Sequence, residues 1–135
     1  MLLNPGDVSA LILQGRQTAE SLMRDTCVVE RRSGQVTDPV TGVVSDAWVT
    51  LYEGRCKVQG RSAVASEPSA GGHVFTVEQL MVHLPVSAES RTDDRVTILS
   101  AELDPDLVGL KFRLSELDRG SYRTADRWNV DLVTA

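Results

Sequence analysis

The side chains able to carry chemistry are few and scattered. The chain holds two histidines. His73 and His83 stand ten residues apart on one parity of a strand-like segment, too far apart to share a metal ion, and neither belongs to a His/Cys/carboxylate cluster with ligand spacing. Both read as partly exposed strand histidines. Cys27 and Cys56 lie in strand-like segments and read as buried free thiols rather than a disulfide framework. No G-x-S-x-G elbow sets a serine beside a base. The acid-rich stretches "ELDPD" (102–106) and "TDDR" (92–95) lack the glycine-centred spacing of a calcium loop and read as solvated turns. Gly71 and Gly72 do not follow a strand and open a helix, so they imply no phosphate cradle. The expectation is no enzyme, no catalytic or metal-binding residue and no cofactor.

The elements that must position any site divide the chain into an N-terminal helix, residues 1–24, and a β domain, residues 25–135. Over 4–24, Asn4 suits the N-cap, Pro5 the first helical position and Asp7 the positive helix end. Val8, Leu11, Ile12, Gly15, Ala19 and Leu22 recur at spacings of three and four and share a face. Small residues in the middle of that face suit close packing, on the chain's own β domain or on a neighbouring subunit.

The period then changes to two. "DTCVVERRSG" and "DAWVTLYEGRCKVQG" read as a hairpin with a long polar tip holding Asp38-Pro39 and Thr41-Gly42, and Gly54 suggests a bulge. "HVFTVEQLMVHLP" reads as a third strand, with a change of apolar parity near Glu78-Gln79 that suggests a kink. "DRVTILSA", "LKFRLSEL" and "ADRWNVDLV" supply three more; Leu110, Phe112 and Leu114 face in, as do Trp128, Val130 and Leu132. The expected fold is mainly β: a small antiparallel barrel or sandwich of about six strands with an N-terminal α-helix.

Composition narrows the function classes. Apolar residues make up 41% and aromatics 4%, so the core rests on Val and Leu. The net charge is −5, which argues against a broad basic surface that wraps nucleic acid. Basic residues lie among acids, and few aromatics are expected to be exposed, so a stacking platform for single strands is unsupported. No apolar run approaches the roughly 20 residues that span a bilayer, so no membrane contact is expected. The first residues lack the basic start of a secretory signal, and the chain is expected to be made in the cytoplasm.

One long stretch remains. Between the second and third strands the chain reads Arg61, Ser62, Ala63, Val64, Ala65, Ser66, Glu67, Pro68, Ser69, Ala70, Gly71 and Gly72. It is small, polar and poor in apolar bulk, and it reads as a long inter-strand loop over 60–73. A compact domain of this length seldom carries such a loop without a use for it.

Three stretches taken in order carry a resemblance: "VVERRSG…DPVTGVV…WVTLYEGRCKVQ", then "LMVHLPVSAESRTDDRVTIL", then "LVGLKFRLSELDRGSYRTADRWNVDLV". This succession resembles the head-closure, or stopper, proteins of the head-to-tail connector of long-tailed phages, in particular the version found in phages of actinobacteria. It covers residues 25–133. The resemblance implies a small β-barrel that assembles as a homo-oligomeric ring in the virion neck. A portal and adaptor ring lies above, tail-terminator or tail-tube proteins lie below, and viral DNA is surrounded without sequence-specific binding. It also implies that a loop between barrel strands projects into the channel, closing it after packaging and moving aside at ejection; here the matching position is 61–72. An acidic conduit repels DNA, and small residues let a loop rearrange, but Val64, Glu67 and Pro68 are the only bulk this one offers a plug. The alternatives are an adaptor or tail-terminator ring protein of the same connector, or an OB-like nucleic-acid-binding module.

Overall fold

The computed structural model describes residues 4–64 and 76–133. Helix α1 (Pro5–Ser21) opens as its sequence directs: Pro5 occupies the first turn, and Asn4 Oδ1 accepts a hydrogen bond from the Asp7 N–H at 3.0 Å. It is shorter than the expected 4–24. Its last turn tightens as the Met23 N–H donates to Glu20 O, and the chain then turns so that Met23, 3% exposed, is tucked against the strands. No residue within α1 is buried, and Leu11, Leu13 and Leu22 are each more than half exposed. The helix approaches the strands through Gly15, where a Cβ would stand 2.8 Å from Thr124 Cγ2, and through Arg16 Nε, which donates to Arg123 O. The small stripe therefore packs on the chain's own barrel.

Six antiparallel strands follow: β1 (Asp25–Thr37), β2 (Val44–Val64), β3 (Thr76–Leu84), β4 (Arg95–Ser100), β5 (Lys111–Leu117) and β6 (Asp126–Leu132). They close into a barrel in the order β1-β2-β3-β6-β5-β4, with β4 returning to pair with β1. The protein is thus mainly β, as its period-two patterning requires. The core is formed by alternate residues: Cys27 and Val29, Val82 and Leu84, Val96 and Ile98, Phe112 and Leu114, with Trp128 as the largest filler. Leu110 and Val130 are only half-buried, and Leu132 is exposed where β6 leaves the barrel. Cys27 and Cys56 are buried free thiols, and their mutual hydrogen bond together with burial pushes the Cys56 thiol well up.

β2 dominates the topology. It runs for 21 residues and overshoots the barrel in both directions. Residues 44–49 pair with β1 beyond the point where β4 stops, and residues 60–64 pair with β3 beyond the point where β6 stops. Two ribbons thus leave the barrel. Arg61, Ser62, Ala63 and Val64, expected in a loop, are strand residues paired with Gln79, Glu78, Val77 and Thr76. The rest of the expected loop, Ala65 to Gly72, lies outside the described residues.

Two local expectations also change. The bulge expected at Gly54 occurs at Leu51, the extra β2 residue where Val29 faces Tyr52 and Glu30 faces Thr50. Gly54 instead makes room for the Tyr52 ring: a Cβ there would stand 2.7 Å from Tyr52 Oη, which donates to Arg55 O. No register shift interrupts β3 near Glu78-Gln79. Over its second half β3 is covered on both faces: Met81 and His83 lie in a recess of about 330 Å³ beneath the end of α1, while Val82 and Leu84 fill the barrel.

Burial, with the cations Arg127 and Lys57 nearby and Asp118 only partly offsetting them, pulls His83 down from 6.5 to about 4. Between those values the denatured chain takes up the proton and the folded chain does not, so stability falls as pH drops. The expected loss from pH 7 to pH 4 is about 3 kcal/mol from this group, seen as a lower melting temperature that His83→Gln makes less steep. In the core, Phe112→Ala should cost about 4 kcal/mol in urea unfolding. Leu103→Ala, at a side chain 89% exposed, should stay within about 0.5 kcal/mol.

Candidate functional site

Two regions outside the core are built with more care than a bland surface needs. The first is the ribbon of β1 and β2 over residues 31–37 and 44–49. Its tip is a preorganised turn. The Asp38 N–H donates to Val43 O and the Gly42 N–H to Asp38 O, both at 2.8 Å. Asp38 Oδ1 accepts from the Val40 N–H at 2.8 Å and the Thr41 N–H at 3.3 Å, and these bonds hold its carboxyl below the usual range. Gly42 takes φ +74°, which only glycine adopts freely. On this fixed turn Val40 is 90% exposed, and Val36, Val43, Val44 and Val49 are each more than half exposed. Both long edges of the ribbon are unpaired among the described residues.

The ribbon's base is braced to the barrel by charge. Arg95 lies 3.9 Å over the Trp48 ring and donates to Glu30 Oε1 at 3.0 Å. Arg31 grips Asp94 with both ends of its guanidinium, Nε to Oδ1 at 3.0 Å and Nη2 to Oδ2 at 2.9 Å. Asp94 is 2% exposed and also accepts from the Arg91 N–H at 2.8 Å. That grip raises the Arg31 guanidinium further above its ordinary value.

The second region is a cleft of about 650 Å³ beside that base. Arg31, Arg91, Arg119 and Arg123 line it with Glu89, Asp126 and Ser90, and Val86, Leu117 and Trp128 form its apolar part. Arg123 Nε donates to the buried Asp126 at 2.7 Å, and the Trp128 indole N–H donates to Ser90 Oγ at 2.9 Å. Arg91 and Arg119 are exposed and make no ion pair among the described residues. The loop forming one wall holds both described non-glycine residues with positive φ, Glu89 at 55° and Asp93 at 72°. Such backbone persists only where its surroundings enforce it; here the Glu89 N–H donates to Val86 O, Arg31 Nη2 donates to Glu89 O, and the Asp93 N–H donates to Leu114 O.

Sequence reading did not single out this cleft. Its arginines come from β1 and from the turns before β4 and before β6, far apart along the chain. The candidate loop is placed only in part: Arg61–Val64 belong to the second ribbon, opposite residues 76–79 of β3. His83 lies in the recess under α1, away from the cleft, and His73 lies outside the described residues. No group of three or more potential metal ligands occurs among the described residues.

No curated protein and no solved structure matches this chain. A family of unknown function, DUF6093, matches residues 15–131, from the helix position that touches Thr124 to the last turn of the ladder in β6. With helix contact, barrel, ribbons and cleft all inside that match, the chain belongs to the DUF6093 family.

Proposed function

We propose that this protein is a structural virion component, a subunit of a ring in the head-to-tail connector of a long-tailed phage, where it closes or gates the DNA channel and joins head to tail. The observation that carries the reading is β2, which overshoots a small closed barrel at both ends and builds an arm at each. An isolated two-stranded ribbon is marginal in water, and a ribbon with unpaired edges and exposed valines on a preorganised turn suits a contact with another subunit. The second ribbon leads directly into the Ala- and Ser-rich stretch that the stopper resemblance assigns to the channel. The acidic charge suits a conduit that DNA passes without adhering. The described aromatic side chains do not favour an OB-like strand reader: Trp128 and Phe112 are buried, Trp48 is capped by Arg95, and Tyr122 is the one with a largely exposed ring.

Two experiments test it in phage. Val40→Asp with Val43→Asp should leave the purified protein's melting unchanged within about 0.5 kcal/mol and abolish its incorporation into heads; normal incorporation would remove the arm from the assembly role. Deleting residues 65–70 should give heads that fill and then lose their DNA. Heads that retain DNA and infect normally after that deletion would remove the gating role.

A further inference from the structure

A cleft rich in arginine and a loop rich in carboxylates stand at opposite ends of the barrel. Asp94 stands immediately before β4, and Leu117 ends β5, so the arginine cleft sits at one end of these two strands. The loop that joins β4 to β5 sits at the other, about 20 Å away for a strand of this length. That loop carries Glu102, Asp104 and Asp106, and between the first two Leu103 is 89% exposed. Its shape is fixed: Asp104 accepts from the Asp106 N–H at 3.2 Å, and Arg24 pairs with Glu102 at 2.7 Å. It therefore offers carboxylates around a fully presented leucine. The cleft offers the complement, the unpaired cations Arg91 and Arg119 beside the half-buried Val86 and Leu117.

We propose that the cleft is a docking site for a second copy of this chain, whose loop 102–106 enters it, with Leu103 against Val86 and Leu117 and the flanking carboxylates on Arg91 and Arg119. Charge complementarity selects this occupant. A chain of net charge −5 is repelled by nucleic acid phosphates, whereas its own acidic loop brings the opposite sign together with an apolar anchor. Because cleft and loop are different surfaces, the contact is heterologous. Repeated, it forms a ring where the rotation closes and a filament where it does not. The ring outcome rests on the connector reading; the contact itself stands on the charges and would survive if the chain never entered a virion.

The test uses the full chain at low ionic strength in sedimentation velocity. Wild-type protein should associate reversibly beyond the dimer as concentration rises, and less so with added salt. One variant, Arg91→Glu with Arg119→Glu, destroys the cleft and keeps the loop. Another, Leu103→Lys with Asp106→Lys, destroys the loop and keeps the cleft. All four side chains are exposed, so both variants should melt as the wild type does. Each alone should associate at least about tenfold more weakly than wild type. Mixed, they should form a one-to-one dimer and nothing larger, because one cleft and one loop remain. A wild type that stays monomeric at its solubility limit, association untouched by either variant, or a mixture that yields no dimer would each overturn the proposal. So would duplex DNA binding to the wild type that Arg91→Glu and Arg119→Glu abolish, since the cleft would then serve phosphates.

Discussion

Much of the molecule outside the core hangs on one buried carboxylate. Asp94 is almost without solvent, and such a charge is tolerable only when fully bonded. Arg31 supplies two bonds from β1, and the Arg91 N–H supplies a third. Removing one partner from such a site typically costs about 3–5 kcal/mol, although the intact pair itself adds little. The interaction is therefore better seen as a joint than as a source of stability. It ties the start of β4 to the base of the first ribbon and holds one wall of the arginine cleft.

How much of this was legible depends on where the physics was local. The helix start could be read because capping is local: Asn4, Pro5 and Asp7 act within one turn. β5 and β6 could be read because each has one face in the barrel, so the sequence alternates. The end of β2 could not. Arg61–Val64 has no alternation and little β propensity, and its extended form follows from pairing with β3, a non-local cause. A kink was read into β3, whereas its pairing with β2 is continuous and its second half is covered on both faces, with α1 lying over Met81 and His83. Gly54 was read as a bulge, whereas its use is to leave space for the Tyr52 ring. The cleft left no sequence signal, since only barrel closure brings Arg31, Arg91, Arg119 and Arg123 together.

The fold also explains why a chain with few aromatics suffices. A six-stranded barrel closes on a narrow interior, and Trp128 and Phe112 with a ring of Val, Leu, Ile and Cys fill it. The remaining apolar residues are then free to lie outside, and many do, on the ribbon, on α1 and at Leu103. Opposing charges are likewise separated by the length of a strand, with acids on the β4–β5 loop and arginines in the cleft. The surface is uneven in both respects.

The single strand that carries both ribbons has a metric consequence. A β-strand advances by about 3.3 Å per residue and barely stretches. Slipping it by even one residue would turn its buried side chains outward. β2 thus works as a ruler: the distance from the valine turn to the start of the Ala- and Ser-rich segment is written in residue count. Any assembly built on both contacts would inherit that spacing, and only a two-residue insertion or deletion in the stretches of β2 beyond the barrel would alter it while each barrel residue keeps its face.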